Sequence, residues 1–227
     1  MFWDTTVILL IPALIFAMYA QAKVQGTFSK YARVRNRYGY TAEEVARKIL
    51  DSMGLYDVRI ERVPGNLTDH YDPRARVLRL SESVYGSESI AAIGVAAHEA
   101  GHAIQHAKGY VPLTVRNSLV PVANLGANLA WPLVILGFFM GAPGLQLINI
   151  GILLFSAAVL FQVITLPVEF DASNRAIALL QSNALFTRED IEPARRVLQA
   201  AALTYVAAAL VSIMQLLRLI IIRNSRE

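Results

Sequence analysis

His98-Glu99-Ala100-Gly101-His102 is the segment of this sequence whose residue types and spacing are best suited to chemistry. On a helix, residues four apart turn through about 400°, so the two imidazoles stand only about 40° apart on one face. They can then reach a single ion. The chain has no cysteine, so any metal must be held by His, Asp or Glu. Zinc suits such a pair, and it lowers the pKa of a water bound to it to about 7. Glu99, offset from the two histidines, is expected to act as the general base. It would take a proton from that water during attack on an amide and return it to the leaving amine. Ala96, Ala97, Ala100, Gly101 and Ala103 surround the pair, and their small side chains allow the helix to pack closely.

A catalytic zinc takes three protein ligands and keeps one position open. A third histidine in the longer metzincin pattern would fall at position 108, which is Lys108, and Gln105 stands where that pattern has glycine. The metzincin arrangement is therefore excluded. His106 lies on roughly the same face as His102 but one turn further on, and a straight helix poorly wraps three ligands around one ion. Glu169 is the better candidate. It follows a long uncharged stretch, and a tight turn before that stretch would bring its polar end back beside the zinc helix. His70, Tyr71 and Arg175 are candidates for stabilising charge on the substrate, and spacing does not choose among them.

The elements that must position these residues leave local signals. Thr41-Ala42-Glu43-Glu44 looks like a helix cap with acids in the first turn, and Gly54 would end that helix after Met53. Val58 to Val63 and Arg76 to Leu80 alternate apolar and charged residues, which predicts two half-buried strands, with Pro64-Gly65-Asn66 as a turn. The second of these is expected to be an edge strand, able to pair with an extended peptide. Ser87 or Ser89 can cap the zinc helix, which Gly109 would end.

Around this polar portion the chain is unusually apolar. Of its 227 residues 55% are hydrophobic and only 17% charged, against about a quarter charged in soluble domains; the mean hydropathy is +0.44. Four uncharged stretches approach or exceed the roughly 20 residues that span a bilayer: Thr5 to Ala22, Leu119 to Gly141, Leu145 to Leu166 and Gln199 to Leu217. The expected fold is a mainly α membrane protein of about four transmembrane helices, with a small α+β zincin-like cytoplasmic portion carrying the His-Glu-x-x-His helix. The expected divisions are an anchor at 1–22, the zinc-helix segment at 23–118, a helical hairpin at 119–166 closed by Ala142-Pro143-Gly144, a polar segment with Glu169 at 167–198, and a fourth span with its tail at 199–227. Asp4 precedes the first stretch where a signal peptide would carry positive charge, so the stretch reads as a retained anchor. Lys23, Lys30, Arg33, Arg35 and Arg37 follow it, which places the N-terminus outside and the zinc helix in the cytoplasm. Arg218, Arg223 and Arg226 disagree, since a full fourth crossing would leave them outside. A net charge of +4 without a basic run argues against a nucleic-acid partner.

Several blocks resemble a known family: Leu67-Thr68-Asp69-His70-Tyr71-Asp72-Pro73, Val77-Leu78-Arg79-Leu80-Ser81, Ala96 to Gln105 around the zinc pair, and Pro167-Val168-Glu169-Phe170. In this order they resemble the YugP-like bacterial membrane zinc metallopeptidases, over nearly the whole chain. That family is distantly similar to the HtpX-like membrane gluzincins, where the third ligand is a Glu in a Glu-x-x-Ala-Asp pattern. Glu169, Ala172 and Ser173 fall on those positions. The final acid, which in the HtpX-like enzymes orients a zinc histidine, is here Ser173, with Asp171 as the nearby acid that could replace it. The resemblance implies a zinc peptidase of the bacterial plasma membrane acting on a protein or peptide, with lipid as its surroundings. A zinc hydrolase of a non-protein amide and a non-enzymatic membrane scaffold are the alternatives, and an intact Glu99 argues against the scaffold.

Overall fold

The computed structural model describes residues 5–182 and 186–225, apart from the side chains of Ala142 and Arg188. Asp4 and Arg226 lie outside the described residues. Eleven elements follow in order: a 3-10 turn at Thr5–Leu10, α1 (Ile11–Tyr31), α2 (Ala42–Ser52), β1 (Arg59–Val63), β2 (His70–Asp72), β3 (Val77–Ser81), α3 (Ile90–Ala107), α4 (Val111–Phe139), a second 3-10 turn at Ala142–Gly144, α5 (Leu145–Ser182) and α6 (Arg188–Asn224). The chain is mostly helical. Among the described residues, four helical stretches are long and apolar enough to cross a membrane: Thr5–Tyr31, Val111–Phe139, Leu145–Ser182 and Glu189–Asn224. Two compact units form, one from residues 1–21, 114–167 and 204–227 and the other from 22–113 and 168–203.

The first unit is built from apolar helix. Its α4–α5 pair approaches closely because small residues face each other. A Cβ on Gly126 would lie 2.2 Å from the Leu154 carbonyl oxygen, and one on Gly144 2.0 Å from that of Gly137. Small residues at such contacts are how helices associate where no hydrophobic effect separates them from lipid. At one end of this unit Arg218 donates to Thr6 Oγ1 at 3.3 Å, and Arg223 donates to Asn149 Oδ1 at 3.0 Å. The last turns of α6 therefore reach the end where the described chain begins and α5 starts. α6 is unbroken through its apolar stretch, although a basic C-terminal end left its full length open from sequence.

The second unit packs α2, α3, a three-stranded sheet, the C-terminal part of α5 and the N-terminal part of α6 around one core containing Val45, Ile49, Leu78, Leu80, Ile93, Ile104 and Leu180. α2 starts at a full capping box: Thr41 Oγ1 accepts from the Glu44 N–H, and the Glu44 carboxylate accepts from the Thr41 N–H. Ser89, rather than Ser87, caps α3 by accepting from the Ala92 N–H, while Ser87 donates to the Ser89 hydroxyl. Gly109, at φ +61°, follows the end of α3 in the left-handed conformation that favours glycine.

The sheet order is β1-β3-β2, with β1 parallel and β2 antiparallel to β3. This corrects the expected edge at Arg76 to Leu80. β3 is central, and Val77, Leu78, Leu80 and Ser81 are buried. Both its backbone edges are taken, so it cannot pair with a further strand. Apolar–charged alternation there reflects Arg79, which bridges to Glu61 on β1 at 3.4 Å and to Asp72 on β2 at 2.9 Å. Local pattern could not reveal β2, a three-residue strand that exists through its pairing.

Candidate metal centre

The centre is assembled where α3 meets α5. Their backbones touch at Gly101, where a Cβ would stand 2.6 Å from the Ala172 carbonyl oxygen. Only a glycine fits there, and the contact brings Glu169 on α5 against the α3 histidine pair. The Glu169 Oε2 atom lies 3.2 Å from His98 Nε2 and 3.5 Å from His102 Nε2. All three ligand atoms fall within 4.8 Å of one another. Two donors bound to one tetrahedral zinc at 2.0–2.1 Å are separated by about 3.3 Å. The two carboxylate–imidazole distances and the two-nitrogen, one-oxygen donor set therefore match such an ion. His106 is not in this group. It is exposed, and its Nδ1 faces the Tyr71 hydroxyl at 2.9 Å.

The remaining ring nitrogens are also held. His98 Nδ1 lies 3.1 Å from Ser173 Oγ, and His102 Nδ1 lies 2.9 Å from Gln105 Oε1. Gln105 is fully buried. Its Nε2 donates to the Val168 carbonyl and to Asp171 Oδ2, both at 2.8 Å. Both partners can only accept, so the amide orientation is determined, and Oε1 must face His102. His102 must then carry its proton on Nδ1, which leaves the Nε2 lone pair directed at Glu169 and the would-be ion. Arg175 bonds Asp171 in turn and lies 5.6 Å from the Tyr110 ring.

These contacts show what the sequence concealed. Gln105 departs from the metzincin pattern, yet its position three residues after His102 places it on the adjoining face. Ser173, standing where an acid was expected, touches His98 directly, whereas Asp171 reaches His102 only through Gln105. Of the remaining polar candidates, His70 is exposed, with its Nδ1 at 2.9 Å from the Thr68 carbonyl. Tyr71 is the one bonded to α3, and burial raises its phenol above the ordinary value.

Charge is concentrated around the histidines. Glu99 is buried at 8% exposure, and no donor among the described residues bonds its carboxylate. Burial is the largest effect on His102 and disfavours its imidazolium. The Glu169 hydrogen bond and the charges of Glu99 and Glu169 together outweigh it, so the His102 pKa is raised. Protons therefore compete with a metal for this group, as expected of histidine ligands.

Comparison with known proteins agrees with this arrangement in class. Residues 6–224 match the family described as "Putative neutral zinc metallopeptidase". The chain belongs to this family of zinc metallopeptidases. It is 51% identical over 222 residues to the protein named "Putative membrane protease YugP" of Bacillus subtilis (strain 168), covering 97% of this chain and 98% of that one. No solved structure matches it.

Proposed function

We propose that the protein is a gluzincin-type peptidase of the bacterial plasma membrane, hydrolysing peptide bonds near the cytoplasmic surface. The observation that carries this reading is the convergence of His98, His102 and Glu169 at zinc-like spacing, beside a buried Glu99. His98, His102 and Glu169 would hold the ion. Bound there, zinc supplies Lewis acidity that makes hydroxide available near neutral pH.

The chain's own groups do the rest. Ser173 and Gln105 fix the two rings so that both Nε2 atoms face Glu169. Glu99 takes a proton from the attacking water and hands it to the amine nitrogen as the peptide bond breaks. Its carboxylate is buried beside the histidine pair, with no donor among the described residues to occupy it. Tyr71, bonded to His106 one turn past His102, is the donor we assign to the carbonyl oxygen as it gains charge. The zincin-like portion comprises residues 23–118 and 167–198, and the five basic residues after the first span support its cytoplasmic placement. An extended substrate would pair with the free edge of β2, the strand that meets α3 through Tyr71.

The test is Glu99→Gln. Zinc content and fold should be retained, because Glu99 is not a ligand, while turnover of a peptide substrate should fall by about a hundredfold or more. Wild-type turnover by zinc-loaded Glu99→Gln protein would refute the mechanism.

A further inference from the structure

A cavity of about 730 Å³ opens between α1 and α6 in the second unit, on segments that take no part in the metal centre. Its walls include Lys23, Gly26, Lys30 and Tyr31 from α1 and Arg196 and Leu203 from α6. The volume lies within the range of small-molecule sites. Three cations line it and no carboxylate does. Neither lysine forms an ion pair among the described residues, and Lys30 lies 5.3 Å from the Tyr31 ring. Arg196 is held at its rim by Glu192 at 3.5 Å, outside the lining.

The cavity changes character along its length. Lys23 and Lys30 are seven residues apart, so they share a face about 10 Å apart along the axis, with Gly26 between them. A Cβ on Gly26 would meet nothing within 4 Å, so the space between the lysines is open. Ala22 is the last residue of the first apolar stretch, and Ala200 and Leu203 lie just inside the fourth. Lysines therefore run along the α1 wall, and apolar residues join the lining where both helices pass from polar to apolar sequence. A free anion would use only the cations. An amphiphile with a phosphate and acyl chains would use both.

We propose that this cavity binds an anionic glycerophospholipid, with its phosphate among Lys23, Lys30 and Arg196 and an acyl chain along Ala22, Ala200 and Leu203. Basic pockets between apolar helices at a membrane surface take anionic headgroups for the same electrostatic reason.

The test uses full-length protein in neutral detergent, given equal amounts of phosphatidylglycerol and phosphatidylcholine, with bound lipid counted by native mass spectrometry. The wild type should retain one phosphatidylglycerol in preference to phosphatidylcholine by roughly tenfold or more. Lys23→Gln/Lys30→Gln should lose the preference, while Lys108→Gln, an exposed lysine beyond α3, should keep it. Gly26→Leu, which puts bulk between the two lysines and leaves every cation in place, should also abolish binding, and it decides the matter if the double variant fails to fold. Unchanged preference in either variant, equal loss in Lys108→Gln, or displacement of the lipid by inorganic phosphate alone would overturn the proposal.

Discussion

Gln105 illustrates how a residue behind a candidate ligand can set that ligand's tautomer. A histidine ligand must present a lone pair at one nitrogen, and the tautomer is set by what the other nitrogen meets. Asp171 and the Val168 carbonyl fix the Gln105 amide, and the amide fixes His102. Gln105→Leu preserves bulk but leaves His102 Nδ1, Asp171 and the Val168 carbonyl without their partner. Zinc affinity should fall about 10- to 100-fold, the usual range for partners of this kind. Glu169→Ala should cost more, because it removes a proposed ligand atom, and Asp171→Ala less, because Gln105 keeps its bond to Val168. Competition against a fluorescent zinc chelator measures all three. Equal affinities for wild type and Gln105→Leu would show that the amide merely fills space.

At the scale of elements, the centre depends on a helix contact rather than on a loop. His98 and His102 belong to α3 and Glu169 to α5, so the distance between those helices sets the distance between the proposed ligands. Gly101 fixes it. The clash that Gly101→Ala introduces is with the Ala172 backbone oxygen, so no side-chain rotation relieves it. Overpacking of this kind costs about 1–3 kcal/mol, and zinc affinity should fall with stability. Ala172→Gly should not rescue the variant, since it leaves the carbonyl in place. Rescue in a thermal melt would mean that the backbones are not in contact there.

The sheet makes a separate, pH-dependent contribution. The Arg79 hydrogen bond, followed by the Ala75 and Arg74 N–H groups, holds the Asp72 carboxyl below its ordinary pKa. A depressed carboxylate stabilises the fold fully above its unfolded pKa, near 3.9, and loses that contribution as pH falls through the lower folded value. Asp72→Asn should therefore lower stability at neutral pH and flatten the decline below about pH 4, as followed by thermal melts across pH. An unchanged acid limb would assign that decline to other carboxylates. This sheet is also where sequence reading reached its limit. The Thr41 box, the Ser89 cap and the long apolar helices are written in neighbouring residues, and they were legible. The β1-β3-β2 order depends on pairs such as Glu61 with Arg79, 18 residues apart, for which alternation within one strand carries no signal. Proline at Leu78 could not test substrate pairing, for the same reason. In a central strand, it would break the sheet whether or not substrate pairs nearby.

For the whole molecule, the distribution of basic residues bears on which side of the membrane carries the candidate metal centre. Basic residues favour the cytoplasmic side, yet this chain has them at both ends of its long helices. Lys23, Lys30, Arg33, Arg35 and Arg37 follow the first apolar stretch, whereas Arg218 and Arg223 lie at the other end of α6, bonded to Thr6 and Asn149. Five cations on one side against two described on the other favour the first as cytoplasmic, and the earliest helix usually dominates orientation. Arg218 and Arg223 also spend donors on neighbouring side chains, which makes an external position less costly to the bundle. A chain without cysteine allows a direct test. Gly86→Cys places a thiol on an exposed residue of the zinc-helix segment where a Cβ meets nothing within 4 Å. Ser225→Cys places one on an exposed residue just after α6. In intact cells an impermeant maleimide should label the protein carrying Ser225→Cys and spare the one carrying Gly86→Cys until the membrane is opened. The opposite pattern would put the metal centre outside and the C-terminus inside. Labelling at both positions would mean that one of the three apolar helices between them does not carry the chain across.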